Sequence, residues 1–479
     1  MNYGVIRFVV GWTLMLEGAL MVPSAAVAVI YGEDVFWDFA AAIALCIICG
    51  LLAKMKRPAK REFFAREGCV SVALSWVALS VMGSLPFLFS GAISDPIDAL
   101  FETVSGFTTT GASILPEVES LPRSILFWRS FTHWIGGMGV LVFLLILLPM
   151  TGGFSMNIMK AESPGPSVSR LVPKVRTTAK ILYSIYIGMT IIQVVLLVLG
   201  KMSLFDALTL TFGTAGTGGF GIRNDSVGSF SSYHQIVTTI FMILFGINFN
   251  AYYFILLGKA KAAFKIEEVR GYLAIIGVAT LAIAVNIYHM YGSLAETLRH
   301  AAFQVASIIT TTGYTTTDFN QWPEVSRTIL VILMFIGACA GSTGGGIKVS
   351  RILILLKTVK KEIGQYLHPK NVKKIKMDGK SIEHEVVRST NVFMMTYFLI
   401  FTGSVLLLAL DGLDLITNFT AVATTLNNVG PGLELVGPMS NFSVYSGLSK
   451  FVMVFDMLAG RLELFPLLLL FCPETWKKF

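Results

Sequence analysis

The sequence predicts an all-α polytopic membrane protein in which a two-helix hairpin precedes four tandem units that surround one pore. Composition is the first observation: of 479 residues, 54% are hydrophobic and 14% are charged, whereas soluble domains carry about 25% charged residues. The second is that apolar runs of about 20 residues recur along the chain, each long enough to cross the hydrocarbon core of a membrane. The third is a short polar loop with a glycine, which recurs four times between apolar runs.

The charge of the chain follows membrane topology rather than a nucleic-acid surface. The net charge is +8, but Lys and Arg are concentrated in the connections between the predicted units, whereas the connections within units lean acidic. By the positive-inside rule, the basic connections are cytoplasmic. We therefore expect the polar loops to open outward and both termini to be cytoplasmic. The expected topology has about ten spans and a re-entrant loop in each unit.

The first element is a transmembrane hairpin within residues 1–62, with spans predicted at Val5–Ile30 and Val35–Ala53. It has no polar loop of the recurring kind, so we interpret it as an addition to the repeated part. Glu17 lies inside the first of these spans, where a buried carboxylate is costly and is a candidate for function. Because the hairpin lies outside the repeats, a structural or interfacial role is favoured.

Each of the four units is predicted to contain a span, a short helix, a polar loop and a second span. The short helices cannot cross the membrane, and irregular backbone at that depth is tolerated only within protein or along a water-filled path. We therefore predict re-entrant pore helices that face one axis. The units are residues 63–160, 161–265, 266–380 and 381–479, and the pore helices are predicted at Ile97–Ser105, Leu204–Phe212, Ala295–Ile309 and Leu413–Thr425.

The four polar loops, here called the filter loops, are predicted to bind a monovalent cation. They are residues 107–112, 215–219, 309–314 and 427–431, and their aligned glycines recur at intervals of 107, 95 and 117 residues. Backbone carbonyls can replace the water around a cation without a fixed charge that would hold it too tightly. The alternative is four ordinary helix–loop turns, because a Thr-Gly pair alone is a weak signal. The predicted ligands are the carbonyls of Thr110, Gly111, Thr217, Gly218, Thr312, Gly313, Val429 and Gly430.

The second span of each unit is broken at a matched place, most strongly in the third unit. There the stretch Gly337–Lys348, here called the intramembrane loop, has five glycines in its first ten residues. Since each glycine costs a helix about 1 kcal/mol, we predict a mobile gating loop across the path below the filter loops, with Lys348 at its end. Small-residue helix packing is the alternative. The residues assigned to this part of the gate are Gly341, Gly344, Gly345, Gly346 and Lys348.

Arg461 is the remaining gate candidate, because it interrupts the second span of the fourth unit. An arginine in mid-membrane costs about 2.5–3.5 kcal/mol on insertion scales. It is expected to face the axis or to pair with Glu463 or Asp456. On the axis its charge would raise a barrier between cation sites, whereas the alternative is a structural ion pair.

These residues together resemble the Trk/Ktr/HKT superfamily of potassium and sodium transporters, most closely its bacterial TrkH branch. The resemblance covers the whole chain and includes the run from Gly341 to Lys348 and the break at Arg461. It implies one filter glycine per unit, potassium as the transported ion, and a location in the bacterial cytoplasmic membrane. It also implies a homodimer and a cytosolic nucleotide-binding regulatory subunit, a TrkA-like ring of RCK/KTN type. The fourth filter loop departs from the threonine-rich pattern through Asn427, Asn428 and Val429.

The predicted function is potassium uptake through a channel-like, gated pore. A proton- or sodium-coupled secondary cation symporter is the alternative, which would show acidic residues along the path and paired broken helices at the midplane. An enzyme is disfavoured, because the six histidines show no metal-ligand spacing such as HExxH. No cofactor is expected in this chain, and a nucleotide is expected only on the regulatory partner.

Overall fold

The structure, a computed structural model, describes residues 1–55, 64–139, 175–369 and 374–477. The predicted unit boundaries at 62/63 and 160/161 lie outside the described residues. The regular elements of the described part are helices except for one pair of two-residue strands, which agrees with the predicted all-α class. Its first helices are α1 (Tyr3–Tyr31), α2 (Phe36–Lys54), α3 (Ala65–Gly83), α4 (Leu85–Phe89), α5 (Pro96–Phe107) and α6 (Arg123–Gly137).

The next two predicted units supply the middle of the fold. The helices in residues 175–265 are α7 (Val175–Leu199), α8 (Leu204–Gly216), α9 (Ser232–Phe245), α10 (Phe249–Leu256) and α11 (Ala260–Ala263). Those in residues 266–369 are α12 (Glu267–Ile287), α13 (Leu294–Ile309), α14 (Glu324–Ile336) and α15 (Val349–Leu367).

A short hairpin of strands β1 (Lys376–Met377) and β2 (Lys380–Ser381) precedes the last predicted unit. The strands pair antiparallel, with Lys376 opposite Ser381. The final helices are α16 (His384–Leu408), α17 (Leu415–Asn427), α18 (Gly447–Arg461), α19 (Phe465–Phe471) and α20 (Pro473–Trp476).

Six described helical segments are long and apolar enough to cross a membrane. They are the two helices of the N-terminal hairpin and the first span of each predicted unit. The second spans are interrupted: α9 and α10 meet at an angle of 92°, α14 ends at Ile336 well before α15 begins at Val349, and α18 ends at Arg461 before α19 begins at Phe465. The remaining second span, predicted at Ile125–Met150, extends beyond residue 139 and so lies partly outside the described residues.

The four pore helices are α5, α8, α13 and α17, and each begins within two residues of its prediction. Three have a side chain that accepts a hydrogen bond from the first turn: Asp95 for α5, Ser203 for α8 and Asp414 for α17. Such caps satisfy N–H groups that have no partner within the helix. In α13, Ser293 occupies the cap position without a side-chain bond.

The pore helices and second spans pack in a cyclic order. Helix α8 packs on α6, α13 on α9, and α17 on α14, so each pore helix contacts the second span of the preceding predicted unit. The contact between α18 and α5 joins the last predicted unit to the first. A ring of contacts of this kind is what four units around one axis require.

The N-terminal hairpin packs against the first predicted unit. Gly11 and Gly50 let α1 and α2 approach so closely that a methyl carbon on either would lie 2.8 Å from the other's carbonyl oxygen. The carboxylate of Glu33 accepts hydrogen bonds from Arg123 N (2.6 Å) and Ser124 N (3.0 Å), so the hairpin caps α6. Glu17 is 1% exposed and lies beside Gly83 of α3.

Candidate functional site: the filter loops and the intramembrane loop

The four filter loops share one backbone pattern. Each has a non-glycine residue with positive φ, followed two positions later by a glycine with positive φ. Only glycine adopts this conformation without steric cost. The pairs and their φ angles are Thr109 (57°) and Gly111 (80°), Thr217 (55°) and Gly219 (78°), Thr311 (58°) and Gly313 (82°), and Asn428 (56°) and Gly430 (103°).

This pattern corrects the predicted register of the second filter loop by one residue. The glycine with positive φ is Gly219, so Gly219 and not Gly218 is equivalent to Gly111. Gly218 is equivalent to Thr110, and Thr217 to Thr109. The physical reason is that α8 continues to Gly216 and ends on Thr217 in a left-handed cap, which shifts the loop relative to the Thr-Gly pair in the sequence.

The filter loops contact one another through their backbones. A methyl carbon on Gly111 would lie 1.9 Å from the carbonyl oxygen of Gly218, and one on Gly219 would lie 1.9 Å from that of Thr312. On Gly313 it would lie 2.3 Å from Val429 O, and on Gly430 it would lie 2.9 Å from Thr110 O. The contacts run from the first loop to the fourth and back to the first. Carbonyl oxygens therefore stand at all four junctions between neighbouring loops, where there is no room for a side chain.

A cavity of about 130 Å³ lies over the four loops. Its lining includes all four glycines that have positive φ: Gly111, Gly219, Gly313 and Gly430. The pore helices end at these loops, so their C-terminal carbonyls, the negative ends of the helix dipoles, are next to the loops. The arrangement is suited to a dehydrated cation, because the available ligands are uncharged oxygens.

The intramembrane loop lies directly against the third and fourth filter loops. Gly345 N donates to Thr311 Oγ1 (2.6 Å), and Gly346 N donates to Asn427 O (3.0 Å). A methyl carbon on Gly344 would lie 2.9 Å from Thr310 O. The structure thus has irregular backbone where the glycine-rich stretch predicted it.

The loop also contacts the second predicted unit and is linked to the first through Arg461. Phe249 N donates to Gly341 O (3.0 Å), which joins the loop to the break between α9 and α10. Arg461 donates from Nη1 to Thr343 O (3.1 Å) and from Nη2 to Gly137 O (2.9 Å) and Gly136 O. One guanidinium therefore connects the intramembrane loop to the end of α6.

Lys348 is the last residue of the intramembrane loop and directly precedes α15. Its side chain is buried, and Nζ donates to Gly344 O within the same loop. The acids considered as partners of Arg461 have other contacts: Glu463 pairs with Arg351, and Asp456 accepts from Ser404 Oγ at 2.8 Å.

Comparison with known proteins identifies the family. A family model described as "TrkH: Cation transport protein" matches residues 37–281 and 271–478. The chain is 36% identical to the "Trk system potassium uptake protein TrkH" of Salmonella typhimurium and 35% identical to the protein of that name in Escherichia coli K12, over 100% of each chain. This chain belongs to the TrkH family. The crystal structure of the potassium transporter TrkH from Vibrio parahaemolyticus matches with a TM-score of 0.89 and 35% identity over 100% of both chains.

Sequence reasoning missed a buried ion pair behind the first two filter loops of this TrkH-family chain. Arg129 Nε lies 2.5 Å from Glu102 Oε1, and both side chains are almost fully buried. Glu102 also accepts from Ser113 Oγ and Ile114 N, both at 3.0 Å, and Arg129 donates to Gly221 O at 2.9 Å. The pair connects α5 and α6 to the segments that follow both loops. Opposite charges inside apolar segments are the signal that could have found it.

His133 is a second missed residue, because the histidines were considered only as metal ligands. Its Nδ1 lies 2.7 Å from Gly106 O, and its Nε2 lies 3.2 Å from Phe220 N. These partners assign a neutral ring that donates from Nδ1 and accepts at Nε2. The buried imidazole of this TrkH-family chain therefore connects the end of the first pore helix to the residue that follows the second filter loop.

Proposed function

We propose that this chain is the membrane-embedded pore of a potassium uptake system. The observation that carries the proposal is the cyclic set of backbone contacts among the filter loops, with carbonyl oxygens at every junction. Rings of backbone carbonyls replace the hydration shell of potassium in selective pores. Support also comes from relatives that are named potassium uptake proteins, not enzymes.

The proposed potassium ligands are backbone carbonyls from each filter loop. The equivalent positions are Thr110 and Gly111 in the first loop, Gly218 and Gly219 in the second, Thr312 and Gly313 in the third, and Val429 and Gly430 in the fourth. Thr217 was predicted as a ligand from the sequence. In the corrected register it is equivalent to Thr109, which is not among the proposed ligands. The intramembrane loop and Arg461 form the gate, because the loop lies below the filter loops and Arg461 holds it to α6.

The proposed driving force is the membrane potential. One elementary charge gains about 2.3 kcal/mol per 100 mV, and about 1.4 kcal/mol corresponds to a tenfold concentration ratio. Roughly 40-fold accumulation therefore needs no second ion at 100 mV. Coupling to protons or sodium ions remains the alternative mechanism, with the same filter.

Isotope flux in liposomes tests this proposal. The purified chain is reconstituted, the voltage is fixed with an ionophore, and uptake of labelled potassium and sodium is compared with and without a pH or sodium gradient. We expect voltage alone to drive uptake, with potassium preferred over sodium. Uptake that requires the second gradient at every voltage would establish the coupled alternative, and equal rates for both ions would refute the filter assignment.

We also propose an assembly and an orientation for the chain. The chain forms a homodimer in the bacterial inner membrane, with both termini in the cytoplasm, and binds a TrkA-like nucleotide-binding ring of RCK/KTN type there. The distribution of Lys and Arg supports the orientation, since basic connections stay on the cytoplasmic side. Cross-linking of intact membranes, with and without the regulatory subunit, tests the assembly.

A further inference from the structure

Glu268 holds both limbs of the intramembrane loop with one carboxylate oxygen. It is the second residue of α12, and its side chain is buried, with the residue only 4% exposed. Its Oε1 accepts from Ala340 N (2.7 Å), near the start of the loop, and from Ser350 N (3.1 Å), just after its end. These two residues lie 72 and 82 positions away from Glu268 in the chain.

The two N–H groups have no equivalent partner within a regular helix. Ala340 lies in irregular backbone, and Ser350 is in the first turn of α15, where N–H groups lack intrahelical acceptors. A carboxylate makes stronger hydrogen bonds than a neutral acceptor. The base of the loop is further closed by Val349 N, which donates to Ala338 O at 3.1 Å.

We infer that Glu268 is a positioning residue that keeps the intramembrane loop across the permeation path. This inference rests on the proposed gating function of the loop. The loop is attached to the filter loops at Gly345, to α6 through Arg461, and to α12 through Glu268. Of these three attachments, Glu268 is the one that contacts both ends of the loop, and it reinforces the backbone bond between Val349 N and Ala338 O. Its removal takes away the acceptor of two buried donors, which favours a position of the loop in which water reaches them.

Cys339, next to Ala340, allows the position of the loop to be measured without any transport. Its side chain is fully buried, and its thiol is free. The test uses the full chain in nanodiscs with Cys46, Cys49, Cys69 and Cys472 replaced by serine, so that a water-soluble maleimide reports on Cys339 alone. Potassium flux without the regulatory subunit is measured on the same proteins. The variants are Glu268→Ala, Glu268→Gln and, as a control, Glu267→Gln, whose carboxylate pairs with Lys357 instead of the loop.

We expect Cys339 labelling to rise about tenfold in Glu268→Ala, as a loss of about 1.4 kcal/mol of closed-state stability implies. Glu268→Gln keeps a neutral acceptor, so a rise of about threefold is expected. Potassium flux should rise in the same order, with the potassium-to-sodium ratio unchanged, and Glu267→Gln should match the parent protein. If Glu268→Ala does not fold, as judged by gel filtration, the labelling and flux of Glu268→Gln test the inference.

The two readouts separate this inference from the proposed function. Unchanged Cys339 labelling in the folded Glu268 variants would overturn the positioning role. Increased labelling with unchanged potassium flux would support the positioning role and show that the loop is not the gate. A merely structural role for Glu268 would lower thermal stability without graded labelling across the Gln and Ala variants, and that result would also overturn the inference.

Discussion

The filter loops and the intramembrane loop all contain glycine in irregular backbone, but they are held in different ways. In the filter loops, each glycine with positive φ packs against the backbone of a neighbouring loop, as close as 1.9 Å for an added methyl carbon. The intramembrane loop depends in addition on side chains from other elements: Thr311, Arg461 and Glu268. Backbone packed on backbone has no alternative rotamers, whereas side-chain bonds can be released. We therefore expect the filter loops to be held more rigidly than the intramembrane loop.

The largest effect is expected when a side chain is placed at a junction between two filter loops. Gly219→Ala places its methyl carbon 1.9 Å from Thr312 O on a backbone with φ of 78°. Overpacking costs about 1–3 kcal/mol, and the left-handed conformation adds about 1 kcal/mol or more. We expect potassium flux to fall about 100-fold and the potassium-to-sodium permeability ratio to decrease, both measured in liposomes.

Substitutions at two further glycines serve as a comparison and a control for this experiment. Gly430→Ala should be milder than Gly219→Ala, because its methyl carbon would lie 2.9 Å from Thr110 O, at the loosest of the four junctions. Gly277→Ala, in the first span of the third predicted unit, meets nothing within 4 Å and should leave flux and ratio unaltered. A normal permeability ratio in Gly219→Ala would contradict the register assigned to the second filter loop.

A second, smaller effect is expected when a side-chain attachment of the intramembrane loop is removed. Arg461→Gln loses the charge and at least one of the bonds to Thr343 O and Gly137 O. Each hydrogen bond from a charged group contributes about 1.5–3 kcal/mol, so potassium flux without the regulatory subunit should rise about tenfold or more. The potassium-to-sodium ratio should not change, because the filter loops are not altered.

Arg461→Lys separates the charge from the attachment. An ammonium keeps the positive charge but cannot reproduce the planar fork that spans two carbonyl groups. If flux also rises in Arg461→Lys, attachment of the loop is the main effect. If only Arg461→Gln increases flux, the electrostatic barrier is the main effect. Arg461 would then provide no evidence that side-chain bonds hold the intramembrane loop.

The helices and the breaks were predictable because their signals are local. Span length, the apolar composition and the density of glycine in Gly337–Lys348 are each read within a short stretch of sequence. The register of the second filter loop was not predictable, because Gly218 and Gly219 are adjacent and give the same local signal. The structure distinguishes them by the positive φ of Gly219 and by its contact with Thr312 O in the next loop.

His133 and Glu268, which connect distant segments through hydrogen bonds, were missed for a related reason. His133 contacts a residue 87 positions away, and Glu268 contacts residues 72 and 82 positions away. In the sequence, His133 is a histidine within a predicted span, which is ordinarily a core residue. Glu268 is an acid at the start of a helix, where its charge suits the helix dipole. Their partners come together only when the ring of pore helices closes.

The smallest expected effect tests whether the scaffold can be weakened without changing the filter. Asp414 caps α17 through Thr417 N at 2.9 Å, and Asp414→Ala should lower the free energy of unfolding by about 0.5–2 kcal/mol. Ser293→Ala is the matched control, because Ser293 makes no side-chain cap bond to α13. Thermal unfolding midpoints in detergent should therefore fall for Asp414→Ala only, while both variants keep the potassium-to-sodium ratio of the parent.

The cap should also respond to pH in a defined direction. The hydroxyl and backbone N–H of Thr417 donate to Asp414 and hold the pKa of its carboxyl below the usual value. A lowered pKa in the folded state stabilises the protein above the ordinary carboxyl pKa of about 4, and this contribution is lost as the pH falls through the lowered value. The difference in midpoint between the parent and Asp414→Ala should therefore be constant near neutral pH and shrink below about pH 4. The permeability ratio should not change as this stability is lost. A change in the ratio would show that the geometry of the filter loops depends on the cap of α17.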